Sequence, residues 1–224
     1  ADGPRRKETW HYASVIGMLM YLSSNAHPEI QFSVHQCARF THCPRASHEE
    51  AVKHICRYLQ GAKDEGLRFK PTDDLQLDCY VDADFAGLWN YESDQDPVCV
   101  KSRTGYVITY ASCPIMWASK LQPYVALSTT EAEYGALSTS LRDVIHLMQL
   151  VKEASALGWK TFEGIPTVHC KAFEDNAGTL EWARLPKMRA RTKHLNIRMH
   201  HFREHVRNGE ISIHKIPTRY QLGD

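Results

Sequence analysis

At 224 residues and 25.6 kDa the chain has the length of one large domain, or of one domain and part of a second. Its 43% hydrophobic and 24% charged residues lie near globular averages and exclude disorder, collagen-like repeats and coiled coil as descriptions of the whole. With 27 Lys and Arg against 26 Asp and Glu, the net charge of +1 argues against a uniformly basic nucleic-acid binder but leaves room for segregated charge.

No apolar run approaches the ~18 residues of a membrane span, so no membrane partner is expected. The opening ADGPRRKETW has no apolar core of a secretory leader. Seven scattered cysteines, none in a CxxC spacing, point to a reducing compartment rather than a disulfide scaffold or structural zinc.

The first 70 residues read as helical. An apolar segment at about 10–24 is followed by 27–40, where Pro28 suits a first helical position and Ile30, Val34 and Cys37 recur at helical spacing. Ser47 and Glu50 have the spacing of a capping box. Val52, Ile55, Cys56 and Leu59 form a stripe, and Gly61 suits the stop. The polar, turn-rich 61–74 predicts a domain boundary.

Beyond it the period changes to two. Leu75, Leu77, Cys79, Val81 and Ala83 share one face of a strand at 75–83, and strands are predicted at 104–110 and 114–119. A long helix at about 129–154, a strand at 166–173, helices at about 176–184 and 193–207 and a strand at 211–216 complete the order. Strands joined by short turns should pair antiparallel, and those separated by helices can pair parallel. The fold class is therefore α/β: a mixed five-stranded sheet flanked by helices, preceded by a small helical segment.

Carboxylates stand out at element ends. Asp82 and Asp84 close the first strand on the face opposite Cys79 and Val81. At about 100° per residue, Glu133 falls on the same helical stripe as Leu137, Val144, Met148 and Val151. An inward glutamate is rare unless paired or bound to metal. Glu131 points the other way and completes a capping box with Ser128. Asp175 lies between a strand and a helix, where an N-cap role competes with chemistry. Clustered carboxylates repel unless a cation neutralises them, and hard oxygen donors suit Mg²⁺ or Mn²⁺, two of which can hydrolyse a phosphodiester.

Residues 184–198 hold Arg184, Lys187, Arg189, Arg191, Lys193 and Arg198 and no acid, leaving 21 basic and 26 acidic groups elsewhere. The near-neutral total hides a +6 stretch beside a −5 remainder, suited to a phosphate backbone. His201 and His205, with His194, have spacing suggestive of zinc, but no acidic or cysteine ligand completes the set.

The segments YVDADFAG (80–87), SRTGYVI (102–108), MWASKLQPYVALSTTEAEYGAL (116–137), EDNAGTL (174–180), RTKHLNIRMHHFRE (191–204) and PTRYQLGD (217–224) resemble the ribonuclease H domain of copia-type LTR retrotransposon polyproteins. Residues 1–70 resemble the tail of the reverse transcriptase just upstream. The resemblance implies a ribonuclease H-like domain over 75–224 that cuts the RNA strand of an RNA–DNA hybrid with two Mg²⁺ or Mn²⁺ ions. Its partner would be the upstream polymerase domain, and its setting a cytoplasmic retrotransposon particle or the nucleus.

By motif the implied catalytic and metal-holding acids are Asp82, Glu133, Asp175 and Asp224, with Asp82 bridging two ions, Glu133 and Asp175 on one and Asp224 on the other. The implied nucleic-acid contacts are Arg103, Lys120, Arg184, Lys187, Arg189, Arg191, Lys193, His194 and Arg198. The chain departs from its relatives at Asn196, commonly Asp, at Glu174, often Cys, and in a longer loop at 88–102. YVDAD resembles a polymerase palm motif, but the following motifs are those of the nuclease, so no polymerase activity is expected. The alternative is a catalytically impaired fragment that only binds nucleic acid, suggested by the chain ending at Asp224.

Overall fold

The computed structural model describes residues 3–7, 9–89, 91, 96–161, 164, 166–184 and 201–224. The chain divides into two compact units: Ala1–Arg68 with Ala118–Lys120, and Phe69–Trp117 with Leu121–Asp224. No helix among the described residues is long and apolar enough to cross a membrane.

The first unit is helical: α1 (Tyr12–Asn25), a 3₁₀ turn (Pro28–Ile30), α2 (Gln31–Ala38) and α3 (Ala46–Gly61). The proline ring fixes φ for the 3₁₀ turn but does not join it to α2, so the single helix predicted at 27–40 is two pieces. The apolar spacing holds across the break. Ile30, Val34 and Cys37 are buried with Tyr12, Ile16, Leu19, Val52 and Ile55 in one core. The buried Tyr12 hydroxyl donates to the Cys37 carbonyl at 2.9 Å.

The predicted Ser47–Glu50 capping box is corrected. The helix begins two residues earlier, at Ala46, because Ala46 N–H donates to the Pro4 carbonyl at 3.1 Å and Arg5 bridges Arg45. Arg45 takes the cap position and its N–H donates to His48 Nδ1 at 3.1 Å. Cys56 is exposed rather than part of the stripe, and Gly61 is the last helical residue rather than the stop. Glu49 is held by Arg6 and Lys53, each at 3.0 Å.

The second unit holds, save for Ala118–Lys120, a five-stranded sheet of order β3-β2-β1-β4-β5. Its strands are β1 (Leu77–Asp84), β2 (Arg103–Tyr110), β3 (Cys113–Leu121), β4 (Cys170–Glu174) and β5 (Ile211–Lys215), with helices α4 (Thr129–Ala156), α5 (Ala177–Arg184) and α6 (Arg203–Arg207). β1 pairs antiparallel with β2 and parallel with β4, and β4 pairs parallel with β5. The expected mixed sheet with flanking helices is thus the sheet found. β4 is shorter at its start than 166–173 because pairing with β1 begins at Leu77 opposite Cys170. It runs on to Glu174 because β5 continues to Lys215.

Burial alternates along β1, with Leu77, Cys79, Val81 and Ala83 inside and Asp84 exposed. α4 packs over this face and over β2, and buries Leu137, Leu141, Val144 and Met148. Phe202, immediately before α6, is fully buried against Tyr134 at 5.8 Å between ring centroids. Of the helix expected at 193–207, residues 193–200 lie outside the described residues.

β2 and β3 are joined by Ala111 and Ser112, both left-handed at φ 50° and 64°. Two positive φ values match the right-handed twist of a tight hairpin but carry a steric cost for residues with a Cβ. The exposed Ser112 hydroxyl lies 3.3 Å from Thr72 Oγ1. Ser112→Gly is expected to stabilise the chain by roughly 0.5–1 kcal/mol, read as a higher urea midpoint with an unchanged slope.

Candidate metal centre

Three acids from three elements converge at one edge of the sheet. Asp82 lies near the end of β1, Glu133 in the second turn of α4, and Asp175 one residue beyond β4. One carboxylate oxygen from each lies within 4.8 Å of the others. α5 brings the β4 end close to α4: Thr179 Oγ1 donates to the Thr130 carbonyl at 3.3 Å. At Gly178 an added Cβ would stand 2.8 Å from Thr130 Oγ1, so a side chain there would press the two helix starts apart.

Local capping leaves the three acids free. Ser128 accepts from the Glu131 N–H at 3.2 Å, and Glu131 reaches back to the Leu127 N–H at 2.9 Å, one residue before the cap. Glu131 is as buried as Glu133, at 7% exposure each, yet only Glu133 belongs to the cluster. At α5 the cap is Asn176, whose Oδ1 accepts the Thr179 N–H at 3.0 Å. Asp175 instead accepts from Thr218 Oγ1 at 2.6 Å.

Asp224 is exposed and lies outside the 4.8 Å group, but its charge is felt at Asp82. Burial, then the charges of Asp175 and Asp224, push the Asp82 carboxyl up to about 6. Burial pushes Glu133 up to about 9, reinforced by Glu174, Asp82 and Asp175. The Ala83 N–H works in the opposite direction at both acids.

Glu174 is the residue that the sequence reading passed over as a departure at a Cys position. It is fully buried, its Oε1 accepts the Asn176 N–H at 3.2 Å, and burial pushes it up to about 8. It completes the inward period of β4 after Cys170 and Ala172, and that alternation is the signal that marks it. Glu133 Oε2 and Glu174 Oε2 are both buried without a hydrogen-bond partner among the described residues. A donor set made only of carboxylate oxygens, with orphaned buried oxygens among them, fits a hard divalent cation.

The expected nucleic-acid contacts separate. Arg103, first in β2 and opposite Asp84, is buried, at 6% exposure. Lys120 is exposed on β3. Arg184 ends α5 and donates to the Ile213 carbonyl at 3.2 Å. Lys187, Arg189, Arg191, Lys193, His194 and Arg198 lie outside the described residues. Of the histidines considered for zinc, His205 pairs with Glu210 at 2.7 Å.

Raised carboxyl values make the metal-free fold favour protonated acids. Glu133 contributes stability that is fully present below its ordinary value of 4.5 and lost as pH rises towards about 9. In chelator, Glu133→Gln is therefore expected to stabilise the chain at pH 9 relative to wild type, on the order of a few kcal/mol. The gap should shrink towards pH 4.5, as read from thermal or urea unfolding across that window.

No protein-family model matches the chain. It is 37% identical over 213 residues to the retrovirus-related Pol polyprotein from transposon TNT 1-94 of Nicotiana tabacum, covering 95% of this chain and 15% of that polyprotein. It is 32% identical over 223 residues to the corresponding polyprotein from transposon RE1 of Arabidopsis thaliana, covering 100% of this chain and 14% of the relative. Among solved structures, LC11 ribonuclease H1 isolated from compost superposes with a TM-score of 0.42 at 15% identity, over 65% of this chain and 87% of that one. By its sequence relatives, and over a segment that is 14–15% of their length, the chain belongs to the retrovirus-related Pol polyproteins of transposons.

Proposed function

We propose that this segment is the ribonuclease H part of a copia-type retrotransposon reverse transcriptase, cutting the RNA strand of an RNA–DNA hybrid. The observation that carries it is the convergence of Asp82, Glu133 and Asp175 within 4.8 Å at the end of the sheet. Asp82, Glu133 and Asp175 would hold divalent ions, with Asp224 beside Asp82 as the fourth acid. Bound there, a pair of Mg²⁺ or Mn²⁺ ions would activate a water nucleophile and neutralise charge growing on the leaving 3′ oxygen.

The chain's own residues supply the setting. Asp82 belongs to the 4.8 Å group and also feels the charge of Asp224, so it would be the acid shared between ions. Glu133 closes the inner side of the site, away from solvent. Thr218 orients the Asp175 carboxylate by donating to one of its oxygens, which leaves the other open. A hybrid would be recognised by the RNA 2′-hydroxyl and by groove shape, with the basic residues 184–198 on phosphates. The proposed partner is the upstream polymerase part of the polyprotein, with residues 1–70 as its tail, in a cytoplasmic particle or the nucleus.

The test is cleavage of a labelled RNA–DNA hybrid in Mg²⁺ or Mn²⁺, with single-stranded RNA and duplex DNA as controls. Loss of an outer-shell group around a metal costs about 10–100-fold, so loss of a direct ligand in Asp82→Asn is expected to cost more than ~100-fold. Unchanged cutting by Asp82→Asn, or no cutting by wild type in either metal, would refute the nuclease assignment. Tight hybrid binding without cleavage would point to the binding-module alternative.

A further inference from the structure

β1 and β4 fork beside the acids. Their last paired residues are Tyr80 and Phe173. Beyond them β1 continues beside β2 as far as Asp84, and β4 continues beside β5 as far as Glu174. The opening is what allows Asp82 and Asp175 to stand at the cluster, and it leaves main-chain carbonyls without a strand partner between the two. Buried carbonyls left so are costly.

The side-chain amide of Gln221 fills this gap. Its Nε2 donates to the Val81 carbonyl at 2.8 Å and the Phe173 carbonyl at 3.4 Å, one on each prong, and the residue is buried. Val81 immediately precedes Asp82, and Phe173 lies two residues before Asp175. The same amide's Oε1 accepts the Gly223 N–H at 3.3 Å, which turns the segment back on itself.

Two glycines then permit a close backbone approach. A Cβ on Gly105 would stand 2.0 Å from the Gly223 carbonyl oxygen, a distance no side chain tolerates. A Cβ on Gly223 would meet Asp82 N at 3.0 Å and the Gly105 and Tyr80 carbonyls at 3.1 Å each. Gly105 lies directly opposite Asp82 in the β1–β2 register. Thr218, earlier in the same segment, donates to Asp175.

We propose that Gln221 is a positioning residue, wedged in the β1–β4 fork, that fixes the Asp82 and Asp175 backbones relative to each other and holds Asp224 at the site through the Gly105–Gly223 approach. The proposal rests on the metal site proposed above. It assigns a job to the glutamine and glycine of the QLGD motif, whose final aspartate alone carries chemistry. The device acts through backbone atoms, so it is specific to a side-chain amide: Gln221 must both donate across the fork and accept from its own segment.

The test uses the 224-residue chain and Gln221→Met, which keeps length and apolar volume but removes the amide. Two quantities are read: hydrogen exchange over residues 217–224, and Mn²⁺ affinity by titration calorimetry. Gln221→Met is expected to speed exchange over 221–224 by about tenfold or more and to weaken Mn²⁺ binding by about tenfold, the scale of a lost outer-shell support. Cleavage should be partly restored at saturating Mn²⁺, which a merely destabilised fold would not show.

Gly105→Ala leaves Gln221 in place but displaces the Gly223 carbonyl, and it is expected to reproduce both changes should Gln221→Met fail to fold. Unchanged Mn²⁺ affinity in the folded variants overturns the proposal, even if the segment exchanges faster. Hybrid cleavage by wild type separates the two ideas. A wild-type chain that binds Mn²⁺ without cutting, and loses that binding in Gln221→Met, refutes the nuclease and supports the positioning role. A wild type that cuts, beside variants that bind Mn²⁺ equally well, does the reverse. A wild type that binds no Mn²⁺ refutes both.

Discussion

Mutual repulsion among carboxylates at one edge of the sheet is the constraint around which the second unit is organised. Burial, and then the charges of neighbouring acids with Asp175 among them, raise the preference of Asp82, Glu133 and Glu174 for the proton. Without a cation the fold must hold unpaired acid oxygens in its interior, an arrangement that costs free energy and that no amount of apolar packing removes. A fold that keeps such a cluster trades stability for a function, and here the compensation is spread through the surrounding elements. α4 lays Leu137, Leu141, Val144 and Met148 over β1 and β2, so the helix that carries the buried Glu133 is anchored by apolar contact along several turns.

The same constraint explains the division of labour at the helix starts. Each helix that begins at the site needs its free N–H groups satisfied, and an acid spent on that task is unavailable to a cation. Ser128 and Glu131 serve α4, and Asn176 serves α5. Glu133 and Asp175 are thereby released from capping. Asp175 is steadied from a third direction, by Thr218 in the segment that also carries Gln221 and Asp224. One stretch of eight residues at the end of the chain thus touches the Asp175 carboxylate and the backbones of β1, β2 and β4.

Much of this was legible because it rests on period and spacing. The switch from helical to alternating apolar pattern marks the strands, and the intervening helices separate the parallel pairs from the antiparallel one. Glu133 was legible because a helical stripe has a direction, so an acid in register with Leu137 and Met148 must face inward. Glu174 obeys the equivalent rule for strands, with Cys170 and Ala172, but lies one residue beyond where the apolar run ends. It was therefore seen as a substitution rather than as a buried acid. The Ser47–Glu50 spacing misled because the start of α3 is set by a main-chain bond to Pro4, more than forty residues away in sequence. Gln221 was illegible for a similar reason: its partners are carbonyls of two strands that meet it only in the folded chain.

Charge segregation along the sequence complements the acid cluster rather than opposing it. A phosphate backbone is repelled by uncompensated carboxylates, so a site of this kind requires cations at the acids and basic side chains a short distance away. α5 connects the two in the chain. It begins just after Asp175 and ends at Arg184, the first residue of the +6 stretch, which is tied to β5 through the Ile213 carbonyl. Eight helical residues span about 12 Å. On the proposed nuclease function, that is roughly three to four nucleotides at about 3.4 Å per step along one strand. Arg184 would then act on a phosphate beyond the one at the acids, leaving the scissile position to the carboxylates. The near-zero net charge is the sum of this +6 stretch and a −5 remainder spread over the rest of the chain.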